Sequence, residues 1–253
     1  MPDSIHVALF DLDGVLTPTA LVHAAAWAEL FDDFLRRRDG ANFTPFDRVK
    51  EYDDLVDGRP RVDGVRAFLG ARGIDLPDGS PDDGPDQETV AGLAARKDEI
   101  FLAKVKRDGV KPYPGSLTYL RAARDAGLPT AVVSASRNCL AIITAADIAD
   151  LLDVRIDGVV AEQESLRGKP EPDTFLAAAR RLETAPEHAA VFEDATAGVA
   201  AGRAGAFGYV VGVDRVDHDA EHEHADALRE HGADTVVHDL ADLLAGAGDG
   251  GAS

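Results

Sequence analysis

Six short runs of β-branched and apolar residues alternate with segments of helical periodicity, and this alternation constrains the chain more than any other feature. The runs fall at residues 5–10, 130–133, 156–160, 189–192, 209–213 and 235–237. Amphipathic segments lie between them at 117–126, 139–148, 174–182 and 198–204. Strands that each feed a helix pair in parallel through crossovers, so the pattern predicts βαβ units in an open α/β sheet with helices on both faces. Residues 20–108 break it. There, 20–38 and 87–106 read as two long helices with no strand between them, which predicts an inserted helical domain, with 1–19 and 109–246 forming the sheet core. The loop 75–86 inside the insertion is rich in Pro, Gly and Asp and is expected to be mobile. The Gly/Ala-rich end, 247–253 in particular, is expected to be disordered.

Composition narrows the partners. With 253 residues, 45% of them hydrophobic, the chain can bury a sizeable core. Its 46 acids against 26 bases leave a net charge of −20, which argues against nucleic acid and anionic membranes, so an anionic substrate needs locally placed bases. No apolar run approaches the length of a membrane span and no cleavable leader is visible, so a cytoplasmic protein is expected. The single cysteine, Cys139, has no second thiol to bridge, consistent with a reducing compartment, and reads as a small filler near a helix start.

Chemistry concentrates at the ends of the predicted strands, where open α/β sheets bind ligands. Asp11-Leu12-Asp13-Gly14-Val15 follows the first run. Residues i and i+2 of an extended segment point the same way about 7 Å apart, so two carboxylates there, before a glycine that permits a sharp turn, suit a divalent cation plus a phosphate. By itself, Asp-x-Asp is also common on solvated loops. Ser134-Ala135-Ser136-Arg137-Asn138 sets a hydroxyl beside a helix start, either an anion site or an ordinary cap. Gly168-Lys169-Pro170-Glu171-Pro172 holds an ammonium in a loop stiffened by prolines, or is a plain turn. Glu193-Asp194 supplies a second acidic pair, with an Asp helix cap as the alternative. The histidines His218, His222 and His224 sit among acids and read as a solvated acidic helix or loop rather than a metal site.

The order Asp-x-Asp-Gly-Val, Ser at a strand end, Lys-Pro and Glu-Asp resembles the haloacid dehalogenase-like superfamily over nearly the whole chain. Within it the sequence is similar to the β-phosphoglucomutase family, through Phe10 to Leu16, Thr19-Ala20-x-x-His23 with Trp27 one turn on, Ser134 to Asn138, and Lys169-Pro170-Glu171-Pro172-Asp173. The resemblance implies a Rossmann-like core with a helical cap, in a monomer acting on a small sugar phosphate. It implies Asp11 as nucleophile, Asp13 as general acid and base, and one Mg²⁺ held by Asp11, Asp13 (through its carbonyl), Glu193 and Asp194. It places Thr19, Ser134, Ala135, Ser136, Asn138 and Lys169 around the phosphoryl group, with Arg61 and Lys97 gripping from the cap and glucose 1,6-bisphosphate as intermediate and activator. His23 is expected to restrain Asp13 until the cap closes, or else to be a packed histidine above Trp27. A phosphatase on the same scaffold is the alternative activity. Two departures stand out: Pro18 occupies the place where the mutases carry an acid, and the acidic stretch 82–86 lengthens the cap.

Overall fold

The computed structural model describes residues 1–57, 59–215 and 223–245. Gly58, His218, His222 and the expected disordered tail 247–253 lie outside the described residues. The chain divides into two compact units, one built from Met1–Pro18 with the chain from Val110 onward, the other from Thr19–Gly109.

The first unit holds a six-stranded, fully parallel sheet of β1 (Val7–Phe10), β2 (Thr130–Val133), β3 (Val154–Ile156), β4 (Ala189–Glu193), β5 (Tyr209–Val213) and β6 (Thr235–Val237). Their order is β3-β2-β1-β4-β5-β6, so the chain builds outward from β1 on one side, then returns to its other side with β4. That reversal leaves a crevice at the carboxyl end of β1, where ligands of such sheets bind. Every residue of β1, β2 and β4 is buried although successive side chains face opposite ways, which requires cover on both faces. One face packs Val7, Leu9, Val133, Val191 and Val210 on Phe175 of α7 (Asp173–Arg181), Val199 of α8 (Thr196–Ala204) and Leu228 of α9 (Glu223–Glu230). On the other, Phe10 and Phe192 stack at 4.6 Å and meet Tyr119 of α4 (Pro114–Asp125).

Three local expectations are corrected. The run 156–160 is not one strand: β3 ends at Ile156, and α6 (Gly158–Gln163) begins where the Asp157 carboxylate accepts from the Val159 and Val160 amides. A capping acid overrides the β-propensity of two valines. The helix expected over 139–148 stops at Ala145 as α5 (Cys139–Ala145), because Asp147 turns into the left-handed region at φ 54°. The first strand begins at Val7 rather than residue 5. Cys139 is fully buried, and burial pushes its thiol far above the ordinary range, as befits a filler.

In the second unit α1 (Thr19–Asp39), α2 (Arg61–Ala71) and α3 (Val90–Asp108) surround an aromatic core of Trp27, Phe31, Phe34, Phe46 and Phe68. Phe31 and Phe68 stack at 3.7 Å, and full burial of a side chain of that size contributes roughly 1.5–3 kcal/mol. The two long helices expected here are α1 and α3, with no strand between them; α2, whose buried face is Gly64, Val65, Phe68 and Leu69, is a further helix not foreseen. The loop expected to be mobile carries no helix or strand between residues 75 and 86. It is stitched by the Thr89 hydroxyl donating to Asp83 at 2.6 Å and by the Gly84 amide donating to Gln87 at 2.6 Å. Among the described residues no helix is long and apolar enough to cross a membrane.

Candidate active site

Parallel pairing aligns Phe10 with Val132 on one side and with Phe192 on the other, so the residues that follow each strand emerge together at the carboxyl edge of the sheet. The Asp11 amide prolongs the ladder by donating to the Phe192 carbonyl at 2.9 Å, and the Ser134 amide does so toward the Ile156 carbonyl at 3.0 Å. Asp11, Glu193 and Asp194 thereby converge, with one ligand oxygen from each lying within 4.8 Å of the others. Asp13 follows two residues after Asp11, paired by a bridge to Thr17 across a tight turn.

Gly14 permits this convergence. Its φ is +84°, and a Cβ built on it would lie 1.7 Å from the Asp194 carboxylate, so only glycine lets the loop approach that acid. The alternative in which Asp194 caps the next helix is not what is seen: the residue before α8 is Ala195, whose amide donates to Glu193 at 3.2 Å. Likewise α5 begins at Cys139, not beside Ser134. The Ser134 hydroxyl instead accepts from the Ser136 amide at 3.1 Å, and the Ser136 hydroxyl from the Asn138 amide at 3.2 Å, so the segment is a pair of hydroxyl-pinned turns. Ala135 between them is exposed.

Lys169 reaches this cluster from a loop whose bond to Pro170 is cis. Its ammonium contacts both the Asp11 and Glu193 carboxylates, donates to the Val133 carbonyl at 3.3 Å, and lies 5.0 Å from the centre of the Phe175 ring. Burial works against its charge, but the two carboxylates outweigh burial and hold it above the ordinary lysine range. The acids move in the opposite sense. Burial holds Asp11 above the usual carboxylate range, with Glu193 and Asp13 repelling in the same direction and Lys169 opposing them. Asp194 is raised by burial, then by Glu193 and Asp11. Asp11, Glu193 and Asp194, hard oxygen donors in mutual reach, fit a divalent cation of the Mg²⁺ type.

A further set of contacts braces the loop after Asp13. Arg215, two residues beyond β5, donates from Nε to the Gly14 carbonyl at 3.0 Å, and from Nη2 to the Val15 carbonyl at 3.4 Å and the Ser116 hydroxyl at 2.8 Å. Its Nη1 meets Asp239 at 3.0 Å, and its guanidinium lies 3.8 Å from the centre of the Tyr113 ring. Ser116, fully buried, donates to the Val15 carbonyl at 2.6 Å. Sequence reasoning missed Arg215 and Ser116; the signal was the place of Arg215, just past a strand's carboxyl end.

The remaining expected residues belong to the helical unit. Thr19 is buried at the start of α1. His23 Nδ1 lies 2.6 Å from the Lys97 ammonium, and its ring stacks on Phe101 at 4.1 Å. The packed-histidine alternative placed it above Trp27; the ring stack is instead with Phe101, and Lys97 lies 5.0 Å from the centre of the Trp27 ring. Burial, then Lys97 and Arg61, hold His23 well below its ordinary range; an ammonium can only donate, so in this contact Nδ1 accepts from Lys97. Arg61 pairs with Asp98 at 2.5 Å and donates to the Ala94 carbonyl at 3.5 Å.

Residues 5–205 match the family of haloacid dehalogenase-like hydrolases. The β-phosphoglucomutase of Mycobacterium bovis is 48% identical over 247 residues, covering 96% of this chain and 93% of that protein. The validoxylamine A 7′-phosphate phosphatase of Streptomyces hygroscopicus subsp. limoneus is 34% identical over 248 residues, 94% and 95% of the two chains. Among solved structures, β-phosphoglucomutase from Clostridium difficile superposes with a TM-score of 0.72 over 94% of this chain and 93% of that one, a likeness of fold at 23% identity. The chain is therefore an enzyme of the haloacid dehalogenase-like hydrolases, and within them it belongs to the β-phosphoglucomutase family.

Proposed function

We propose that the enzyme interconverts β-D-glucose 1-phosphate and glucose 6-phosphate through an aspartyl phosphate and a 1,6-bisphosphate. The observation that carries this reading is the Asp11 carboxylate, buried at the end of β1, contacted by the Lys169 ammonium and within ligand reach of Glu193 and Asp194. A carboxylate so placed can attack phosphorus once positive charge screens the phosphate. The choice of sugar rests on the Mycobacterium bovis relative.

Asp11 attacks the phosphoryl group of the bisphosphate, forming its own P–O bond as the bond to the sugar oxygen breaks, and Asp13 gives that oxygen a proton. In the reverse direction Asp13 takes the proton of the other hydroxyl as it attacks the phosphoaspartate. Lys169, the Ser134 hydroxyl and the polar groups of Ser136, Asn138 and Thr19, with the Ala135 backbone, hold the phosphoryl oxygens as charge spreads over them. A Mg²⁺ held by Asp11, Glu193, Asp194 and the Asp13 carbonyl would add positive charge to the same oxygens.

The helical unit acts as the cap in this reading. Arg61 exchanges Asp98 for the distal phosphate, Lys97 grips beside it, and binding energy from that remote group organises the reacting end and excludes water. His23 restrains Asp13 before closure, and its neutral ring keeps Lys97 oriented.

A second reading, a Mg²⁺-dependent sugar-phosphate phosphatase, is favoured by the Streptomyces relative. A panel of sugar phosphates with Mg²⁺, with and without glucose 1,6-bisphosphate, decides between them. Bisphosphate-dependent isomerised product without free phosphate supports the mutase; stoichiometric phosphate release overturns it in favour of the hydrolase.

A further inference from the structure

We infer that Arg215 is a positioning residue for Asp13: by clamping the two peptide carbonyls that follow it, Arg215 fixes where the acid–base carboxylate stands. The inference rests on the reading of Asp13 as the proton donor and acceptor, and adds a residue outside the phosphate-facing motifs.

The loop from Asp11 to Thr17 turns on few internal bonds. Gly14 donates to the Thr17 carbonyl at 2.8 Å, and Leu16 and Thr17 donate to the Leu12 carbonyl at 3.0 and 2.9 Å. These close the turn on itself, and the Tyr113 amide, donating to the Leu16 carbonyl at 3.0 Å, with the buried Leu12, Val15 and Leu16 side chains, anchors its far end; the segment next to Asp13 depends on side-chain donors. The Gly14 and Val15 carbonyls are the handles, and one guanidinium takes both while also binding the Ser116 hydroxyl that holds Val15 from the other side. A planar fork with five N–H groups can do this, whereas an ammonium cannot keep the same set of directions. The fork is itself fixed, at 16% side-chain exposure, between Asp239 and the Tyr113 ring. Asp13 is the residue immediately before the clamped carbonyls, and Gly14 is the residue pressed against Asp194. Release of the clamp frees the turn to shift away from the acids, moving the Asp13 carboxylate more than Asp11, which is tied to β4 by its own amide.

The test uses aryl phosphates whose leaving groups span a wide range of pKa, alongside the sugar phosphates, with wild type, Arg215→Ala and Arg215→Lys. A misplacement near 1 Å can cost on the order of 10²-fold. For Arg215→Ala we expect kcat to fall by that order for sugar phosphates and poor leaving groups. The pre-steady-state burst of leaving group, which reports phosphorylation of Asp11 before any step that needs a base, should slow only a few-fold for good leaving groups that need no proton. Guanidinium ion at low millimolar concentration should restore part of the loss in Arg215→Ala, and Arg215→Lys should stay impaired. Hydrogen exchange at the Gly14 to Thr17 amides should accelerate in both variants while the β4 amides keep their protection. Equal slowing of the burst for all leaving groups, full activity of either variant, or unchanged exchange at the loop overturns the inference. If Arg215→Ala fails to fold, Ser116→Ala, which removes one of the two supports of Val15, must show the same leaving-group dependence in smaller degree; its absence also overturns it. Wild type that hydrolyses aryl phosphates but handles no sugar phosphate would overturn the proposed substrate while leaving this comparison readable.

Discussion

Replacing Gly14 by alanine separates two costs that the same residue avoids. The new Cβ would stand 1.7 Å from Asp194 Oδ2 and 2.4 Å from its Cγ. An ordinary contact begins at 3.4 Å, so the Asp194 oxygen or the loop must retreat by about 1.7 Å. Metal–oxygen distances tolerate about 0.2 Å, and loss of even a group supporting a ligand costs roughly 10-fold to 100-fold in affinity, so Mg²⁺ binding should weaken by at least about 10²-fold. The φ of +84° adds backbone strain of roughly 1–2 kcal/mol, which lowers the melting temperature of a chain this size by about 2–8 °C. Gly127→Ala provides the control, since φ there is +73° with nothing within 4 Å: it should show the strain alone. Isothermal calorimetry with Mg²⁺, or Mn²⁺ monitored by electron paramagnetic resonance, reads the first cost, and thermal melts without metal read the second. Gly14→Ala that binds Mg²⁺ within threefold of wild type, with Gly127→Ala equally affected in stability, would refute the argument that close approach to Asp194 is what Gly14 provides.

Asp11→Asn should remove all phosphoryl transfer while far-UV circular dichroism stays unchanged, because it removes a nucleophile and a ligand but almost no volume; measurable turnover would contradict the assignment. Because Asp11 and Asp194 are held above 3.8, the folded protein binds more protons than the unfolded chain between that value and their raised ones. Their contribution to metal-free stability therefore declines as pH rises through the window, and the melting shift produced by Mg²⁺ should grow with pH; a shift that shrinks toward neutral pH would oppose this. Arg61→Ala should cost isomerisation roughly 30-fold to 150-fold, corresponding to about 2–3 kcal/mol for a charge-assisted contact, while hydrolysis of acetyl phosphate stays within a few-fold. Equal losses in the two assays would mean that Arg61 grips no distal phosphate.

The acids of the candidate site were legible because they stand at the end of, or directly after, an apolar run that announces a strand: Ala8-Leu9-Phe10 before Asp11, and Ala190-Val191-Phe192 before Glu193 and Asp194. Parallel pairing then does the rest, since strands in register end together. Elements whose signals conflict were misread. Val159 and Val160 favour a strand, yet the preceding Asp157 caps a helix, and a side chain satisfying two amides outweighs weak propensities. Helix α2 was missed because Gly64 and Gly70 dilute its pattern, although Val65, Phe68 and Leu69 recur at helical spacing. Arg215 was illegible as a brace for a different reason. It is one of 26 basic side chains, and what distinguishes it is a set of partners at positions 14, 15, 113, 116 and 239 that only the finished fold brings together.

The span of that brace bears on how the enzyme comes into being on the ribosome. Arg215 reaches back 201 positions to Gly14, so at synthesis rates of about 5–20 residues per second the amino-terminal turn waits roughly 10–40 seconds for its clamp. A nascent chain that has emerged only through residue 194 already holds Asp11, Ser134, Lys169, Glu193 and Asp194, but lacks Arg215, which clamps the turn after Asp13. Positioning of Asp13 is thus the last feature of the site that the growing polypeptide can acquire, after every acid of the cluster has already been synthesised.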